Sequence, residues 1–192
     1  MNLAERLARP ELLALAPFDL GDRYGGFGAD TIKLDANENP YPPLSGGDLA
    51  AGLNRYPEPQ PRQLRDAMAS LYGVQPENLL LTRGGDDAID VLCRAVLRGP
   101  EDAVVLCLPT FSVYAHAARF QGARVIEARL DANFDFSADA MLEAAVGETG
   151  LKIAFICSPN NPTGNEVDPA EVLKVADALP DTLVLVDEAY LE

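Results

Sequence analysis

The sequence predicts an α/β protein built on a mostly parallel sheet with helices on both faces, preceded by an N-terminal arm. Three observations carry that expectation. From residue 61 onward, short apolar runs of strand length alternate with segments whose apolar residues recur at helical spacing. The runs, such as Ala103-Val104-Val105-Leu106-Cys107-Leu108, are continuously apolar, as strands covered on both faces are. Strands and helices also take strict turns along the chain, which implies βαβ units rather than hairpins. The length of 192 residues fits one domain and suffices for a substantial core.

Residues 1–60 read as an arm with connecting segments, because Gly25-Gly26, Pro40, Pro42-Pro43, Gly46-Gly47, Pro57 and Pro59 break any long element. Residues 61–192 read as the sheet domain. Leu64, Met68 and Leu71 recur at helical spacing, and Asn78 to Thr82, with Leu79-Leu80-Leu81 inside it, reads as a short strand. After the Gly84-Gly85 turn, Ile89, Leu92, Cys93 and Val96 form one apolar helical face. The alternation continues with a strand at Ala103 to Leu108, a helix near Ser112 to Gln121 and a strand at Arg124 to Leu130. A helix from Ser137, a strand at Lys152 to Cys157, a further helix and a strand at Thr182 to Val186 complete it. In that further helix Asp168 can cap the start, Pro169 suits the first position and Glu171 can close a capping box. Val172, Val175, Ala176 and Leu179 make its buried face.

The formal charge is −15, with 15 basic against 30 acidic residues, which argues against nucleic acid and anionic membranes as partners. Met1 to Pro17 is interrupted by Glu5, Arg6, Arg9 and Glu11 and reads as neither signal peptide nor anchor. Cys93, Cys107 and Cys157 sit in apolar segments without metal-site spacing, so buried reduced thiols and a cytoplasmic location are expected. His116 is the single histidine, mid-helix, and forms no triad or metal pattern with other residues. No metal is expected.

The chemistry-bearing residues gather at strand ends, where an open α/β sheet holds its ligand. Thr82-Arg83-Gly84-Gly85-Asp86-Asp87 joins a strand to a helix, so the amides of Gly85 and Asp86 can cradle a phosphate; a plain tight turn reads the same way. Phe111 follows the next strand and can stack on a flat ring or pack in the core. Asn161, in Ser158-Pro159-Asn160-Asn161-Pro162-Thr163-Gly164, and Asp187 and Tyr190, in Asp187-Glu188-Ala189-Tyr190, end two later runs. An acid, an amide and a phenol are what a pyridoxal phosphate ring needs around its nitrogen and its phenolic oxygen. Asp187 would keep the ring nitrogen protonated so that the ring can take up electrons, and Asn161 and Tyr190 would donate hydrogen bonds to the phenolic oxygen.

With these strings, the chain resembles the N-terminal half of the histidinol-phosphate aminotransferases, which are fold-type-I pyridoxal phosphate enzymes. The resemblance also rests on Leu34-Asp35-Ala36-Asn37-Glu38-Asn39-Pro40, on Asn54-Arg55-Tyr56-Pro57-Glu58, and on Pro109-Thr110-Phe111. It implies pyridoxal 5′-phosphate as cofactor, held by Gly85, Asp86, Phe111, Asn161, Asp187 and Tyr190, with Asp187, Tyr190 and Asn161 in the catalytic roles. It implies that Tyr56 reaches the cofactor phosphate of the other subunit of a homodimer. The implied reaction transfers the amino group of histidinol phosphate to 2-oxoglutarate, giving imidazole-acetol phosphate and glutamate in histidine biosynthesis. Phe111 and Phe18 stand where relatives often carry tyrosine, and Asp87 where glutamate is usual.

The lysines here are Lys33, Lys152 and Lys174, and none follows Tyr190, where such enzymes attach the cofactor. The later arginines that hold the substrate's anionic groups are not among these residues either. The resemblance therefore implies an incomplete large domain, truncated before that lysine, and a fragment inactive by itself. Two other readings stay open: another pyridoxal phosphate enzyme of the same fold, such as a threonine-phosphate decarboxylase or other amino-acid transaminase, and a non-catalytic module for dimerisation or cofactor sensing.

Overall fold

The computed structural model describes residues 2–16, 31–41 and 52–191, grouped in two compact units. The unit of residues 1–15 and 82–192 is organised by a four-stranded parallel sheet. Its strands are β1 (Ala103–Leu108), β2 (Arg124–Arg129), β3 (Leu151–Cys157) and β4 (Leu183–Asp187), in spatial order β2-β1-β3-β4.

Side chains alternate across a strand, so each strand divides between two cores. Val104, Leu106, Ile153, Phe155 and Cys157 pack with α4 (Gly85–Val96) and α5 (Val113–Phe120), through Ile89, Cys93, Val96, Tyr114, Ala117 and Ala118. Val105, Cys107, Ala154 and Ile156 pack with α6 (Ala138–Ala144) and α7 (Pro169–Ala178), through Ala138, Met141 and Val175. This double cover is why β1 and residues 153–157 of β3 read as unbroken apolar strings. The expected α/β sheet with helices on both faces is present.

The strand order reverses once. β1 connects to β2 on one side through α5, whereas β3 connects to β4 on the other side through α7. The loops leaving β1 and β3 therefore diverge, and an open sheet has its ligand crevice at the carboxyl ends of such a pair.

Several elements differ from the sequence expectation. Residues 79–82 form no strand. Leu79 is extended (φ −113°, ψ 133°), but the backbone N–H and C=O of Leu81 are both taken by the Gln60 side chain, at 2.8 Å each. An amide side chain thus occupies the place of a neighbouring strand. Glu171 does not close a capping box: Asp168 caps α7 through Ala170 N, while the Glu171 carboxylate accepts from Ala138 N at 2.6 Å, at the first residue of α6. The Lys174–Asp139 pair, 2.8 Å, ties the same two helices.

The first residues group with the sheet rather than with the arm. Helix α1 (Leu3–Leu7) is fixed by a reciprocal Asn2–Glu5 cap and buries Leu7 in the α4/α5 core, and Arg9 N bonds to Ala95 O at 2.9 Å. Helix α2 (Pro10–Leu13) follows it. Residues 16–81 form the other unit, which contains α3 (Arg62–Tyr72), ended by Gly73 in the left-handed conformation. Phe18 lies outside the described residues. Among the described residues, no helix is long and apolar enough to cross a membrane.

Gly150 precedes β3 with φ 75°, and its carbonyl accepts from Ala103 N at 2.8 Å as β1 begins. A Cβ at Gly150 would lie 2.0 Å from Glu101 O, whereas Gly147 (φ 76°) has open space. Gly147→Ala should therefore cost only the left-handed strain, about 1–2 kcal/mol. Gly150→Ala should cost that and at least about 1 kcal/mol more, because backbone must move. Urea unfolding of the two variants checks this; equal losses would show that the β1/β3 entry relaxes freely.

Candidate functional site

The site is assembled at the carboxyl ends of β1, β3 and β4. The loop after β1 (Pro109-Thr110-Phe111) and the loop after β3 (Ser158 to Gly164) are tied by Asn160, which is buried. Its Nδ2 donates to Pro109 O (3.0 Å) and Thr163 Oγ1 (2.9 Å), and its Oδ1 accepts from Thr110 Oγ1 (2.8 Å). Every polar atom of that amide is engaged inside the protein, as burial demands. The neighbouring Asn161 is left for the surface, where it lines, with Pro159, Pro162, Gly164 and Tyr190, an open depression of about 330 Å3. Tyr190 is 61% exposed.

Asp187 stands opposite Cys157 in the β3/β4 register, and its carbonyl accepts from Ser158 N at 2.9 Å. Its carboxylate is held at both oxygens: Oδ2 accepts from the Tyr114 hydroxyl at 2.6 Å, and Oδ1 from Ala189 N at 3.1 Å. Tyr114 is fully buried, stacked on Phe155 (centroids 4.8 Å, 12° between planes) and edge-on to Phe111 (5.6 Å, 83°). Burial, followed by the bond to Asp187, pushes the phenol far above its ordinary pKa. The hydroxyl is therefore a permanent donor. Asp187, at the end of β4, and the loops that carry Asn161, Tyr190 and Phe111 are thus joined by direct contacts.

Gly85 and Asp86 open α4, exposed, and no side chain caps this helix start. Gly84 takes φ 87°, which brings the chain into the helix. The turn is braced by Asp87, whose carboxylate accepts from Arg83 N and from the Arg83 guanidinium, both at 3.0 Å. That guanidinium holds the Asp87 carboxyl below its ordinary range. Among the described residues, no hydrogen bond or ring contact joins Gly85 or Asp86 to the Tyr114–Asp187 group. The Asp-for-Glu position thus acts on the turn through Arg83.

Tyr56 belongs to the other unit and is 59% exposed. Its backbone N–H donates to Glu38 Oε1 at 2.8 Å, and Glu38 Oε2 pairs with Arg55 at 2.9 Å and Lys33 at 3.7 Å. The Glu38 side chain is only 3% exposed. Asn54 Nδ2 also donates to Asn39 O at 2.7 Å. The two strings that stood apart in the sequence, 34–40 and 54–58, are therefore one clamp around a carboxylate.

Three residues of this arrangement escaped the sequence reading. Tyr114 lies in the first turn of α5, three residues after Phe111, near enough along the chain for the two rings to meet edge-on. Asn160 was hidden by its twin Asn161, and Glu38 showed only as a motif letter. His116 is exposed, its Nδ1 2.7 Å from Ser112 O, and among the described residues no cluster could hold a metal.

The sequence pattern of the family of aminotransferases of class I and II matches residues 29–192. The chain belongs to this family. Among curated members, the histidinol-phosphate aminotransferases of Shewanella oneidensis and Shewanella amazonensis are 41% and 42% identical over 192 residues, all of this chain. The chain spans about half the length of these relatives, 48% and 50%. Among solved structures, the histidinol-phosphate aminotransferase of Sinorhizobium meliloti in complex with pyridoxal-5′-phosphate superposes with a TM-score of 0.64 at 26% identity, covering 71% of this chain and 37% of that one. The L-threonine-O-3-phosphate decarboxylase of Porphyromonas gingivalis (TM-score 0.57, 24% identity, 71% of this chain and 40% of that one) shares the fold.

The Tyr56 N–H, assisted by Arg55 and Lys33 and opposed by burial, holds the Glu38 carboxyl below its ordinary 4.5. A carboxyl with a lowered folded pKa contributes stability above its unfolded pKa and loses it as pH falls through the folded value. The Tyr56 amide should therefore stay protected from hydrogen exchange at neutral pH and lose protection with a midpoint below 4.5. Glu38→Gln should abolish that midpoint. A midpoint at or above 4.5 by amide NMR would show that the clamp does not favour the ionised acid.

Proposed function

We propose that these residues form the cofactor-binding part of a pyridoxal-phosphate-dependent aminotransferase that acts as a cytoplasmic homodimer. Its substrates are histidinol phosphate and 2-oxoglutarate, its products imidazole-acetol phosphate and glutamate. The observation that carries the reading is the fixed carboxylate of Asp187 at the end of β4, held at both oxygens close to the loop of Asn161. Identities of 39–42% to histidinol-phosphate aminotransferases support the substrate. The decarboxylase likeness, at 24%, supports no more than a shared fold.

The residues present fit the cofactor. Pyridoxal phosphate supplies, when bound, a ring that takes up the electrons left as a proton leaves the substrate's α-carbon. Asp187 holds a proton on the ring nitrogen, which a loosely held acid would do less well. Asn161 and Tyr190, which line one depression, would donate hydrogen bonds to the phenolic oxygen. The uncapped amides of Gly85 and Asp86, at the positive end of α4, hold the phosphate. Phe111, supported edge-on by Tyr114, would stack on the ring. Tyr56, exposed on a stretch stiffened by Pro57, reaches the cofactor phosphate of the second subunit.

In the full-length enzyme, Asp187→Ala should lower turnover of histidinol phosphate by about 10²-fold or more while changing KM little, since the acid acts on charge that develops during reaction. Steady-state kinetics check this, and near-normal turnover would remove Asp187 from the ring nitrogen. Tyr56→Phe subunits mixed with subunits lacking the attachment lysine should regain activity. In those dimers the intact lysine site receives an intact Tyr56 from across the interface. The Phe parent loses a hydrogen bond to a charged phosphate, about 1.5–3 kcal/mol. Mixed dimers no more active than the better parent would place Tyr56 in its own subunit's chemistry or outside it.

A further inference from the structure

Asp187 ends a strand and is half-buried, with a side chain free to rotate about two bonds unless something holds it. The Ala189 amide is a local contact, two residues away, that moves with the same turn. Tyr114 is different in kind. It comes from α5, 73 residues earlier, and its ring is locked by the parallel stack on Phe155 and the edge contact with Phe111. The Cys157 thiol lies beside the same hydroxyl, so Asp187 and Cys157 are the ionisable groups facing it. At 2.6 Å the hydroxyl makes a short, charge-assisted bond to Oδ2, leaving the carboxylate one orientation that satisfies both of its donors.

We propose that Tyr114 is a positioning residue for the cofactor: its buried hydroxyl sets the plane of the Asp187 carboxylate and thereby the hydrogen bond that Asp187 makes to the cofactor's ring nitrogen. This rests on the pyridoxal phosphate reading above. Tyr114 touches no reacting atom and acts through Asp187. The α4/α5 core, which holds the ring, is thus coupled to the electronics of the site.

The test uses the full-length protein and pyridoxamine 5′-phosphate labelled with 15N in its ring, a probe that binds without a covalent bond to a lysine. Wild type should bind it with the ring nitrogen protonated. Tyr114→Phe, which keeps the stack on Phe155, should bind about tenfold more weakly, as loss of one charge-assisted hydrogen bond implies, with the 15N resonance moved toward the unprotonated position. In an Asp187→Ala background the same substitution should change nothing further. Unaltered affinity and 15N shift in Tyr114→Phe overturn the proposal while leaving the cofactor reading intact. An equal loss with and without Asp187 also overturns it, because Tyr114 then acts by packing. Failure of wild type to bind the probe overturns the cofactor reading and this proposal with it. Independently of any variant's folding, the Tyr114 hydroxyl proton in cofactor-free wild type should give a protected downfield resonance; its absence overturns the contact itself.

Discussion

The single reversal of strand order between β1 and β3 constrains everything else in the sheet unit. Because β1 leads away to β2 and β3 leads away to β4, the two loops at the reversal cannot cover each other, and a gap is unavoidable at the carboxyl edge. The same reversal sends α5 to one face and α6 and α7 to the other. Both faces of β1 and β3 are then buried, and polar side chains can collect only where the strands end.

A gap between diverging loops needs cross-ties, and the protein supplies them with buried polar groups rather than with more apolar packing. Asn160 joins the β1 and β3 loops, and Tyr114 joins α5 to the end of β4. Each is satisfied inside the protein, which turns the usual cost of burying a polar group into a demand for one geometry. Asn161 and Tyr190, by contrast, line an open depression at the surface.

The β1 strand and the buried end of β3 were legible because double burial writes itself as uninterrupted apolar strings, and the start of α7 because Asp168-Pro169 is a local signal. Residues 79–82 were misread for the same reason: Leu79-Leu80-Leu81 has strand composition, but composition does not reveal that Gln60 would take the ladder position. Glu171 had the spacing of a capping box, and a tertiary partner at Ala138 won it. In the candidate site, Asn161, Asp187 and Tyr190 were singled out as candidates by the chemistry of their side chains. Tyr114 and Glu38 were not, because their importance lies in contacts with Asp187 and Tyr56, far along the chain, and no local pattern encodes a distant partner.

The parallel register of β3 and β4, with Cys157 opposite Asp187, places that acid on the α4/α5 side, in line with Leu183 and Leu185. Side chains alternate with a period of two, so a slip of one residue would leave the ladder's hydrogen bonds in place and turn the carboxylate to the α6/α7 side, away from Tyr114. A one-residue insertion or deletion within β4 is thus a different class of lesion from a substitution: it could spare the sheet and still erase the site. Only a register that pairs the right faces yields both a packed core and an acid at its edge.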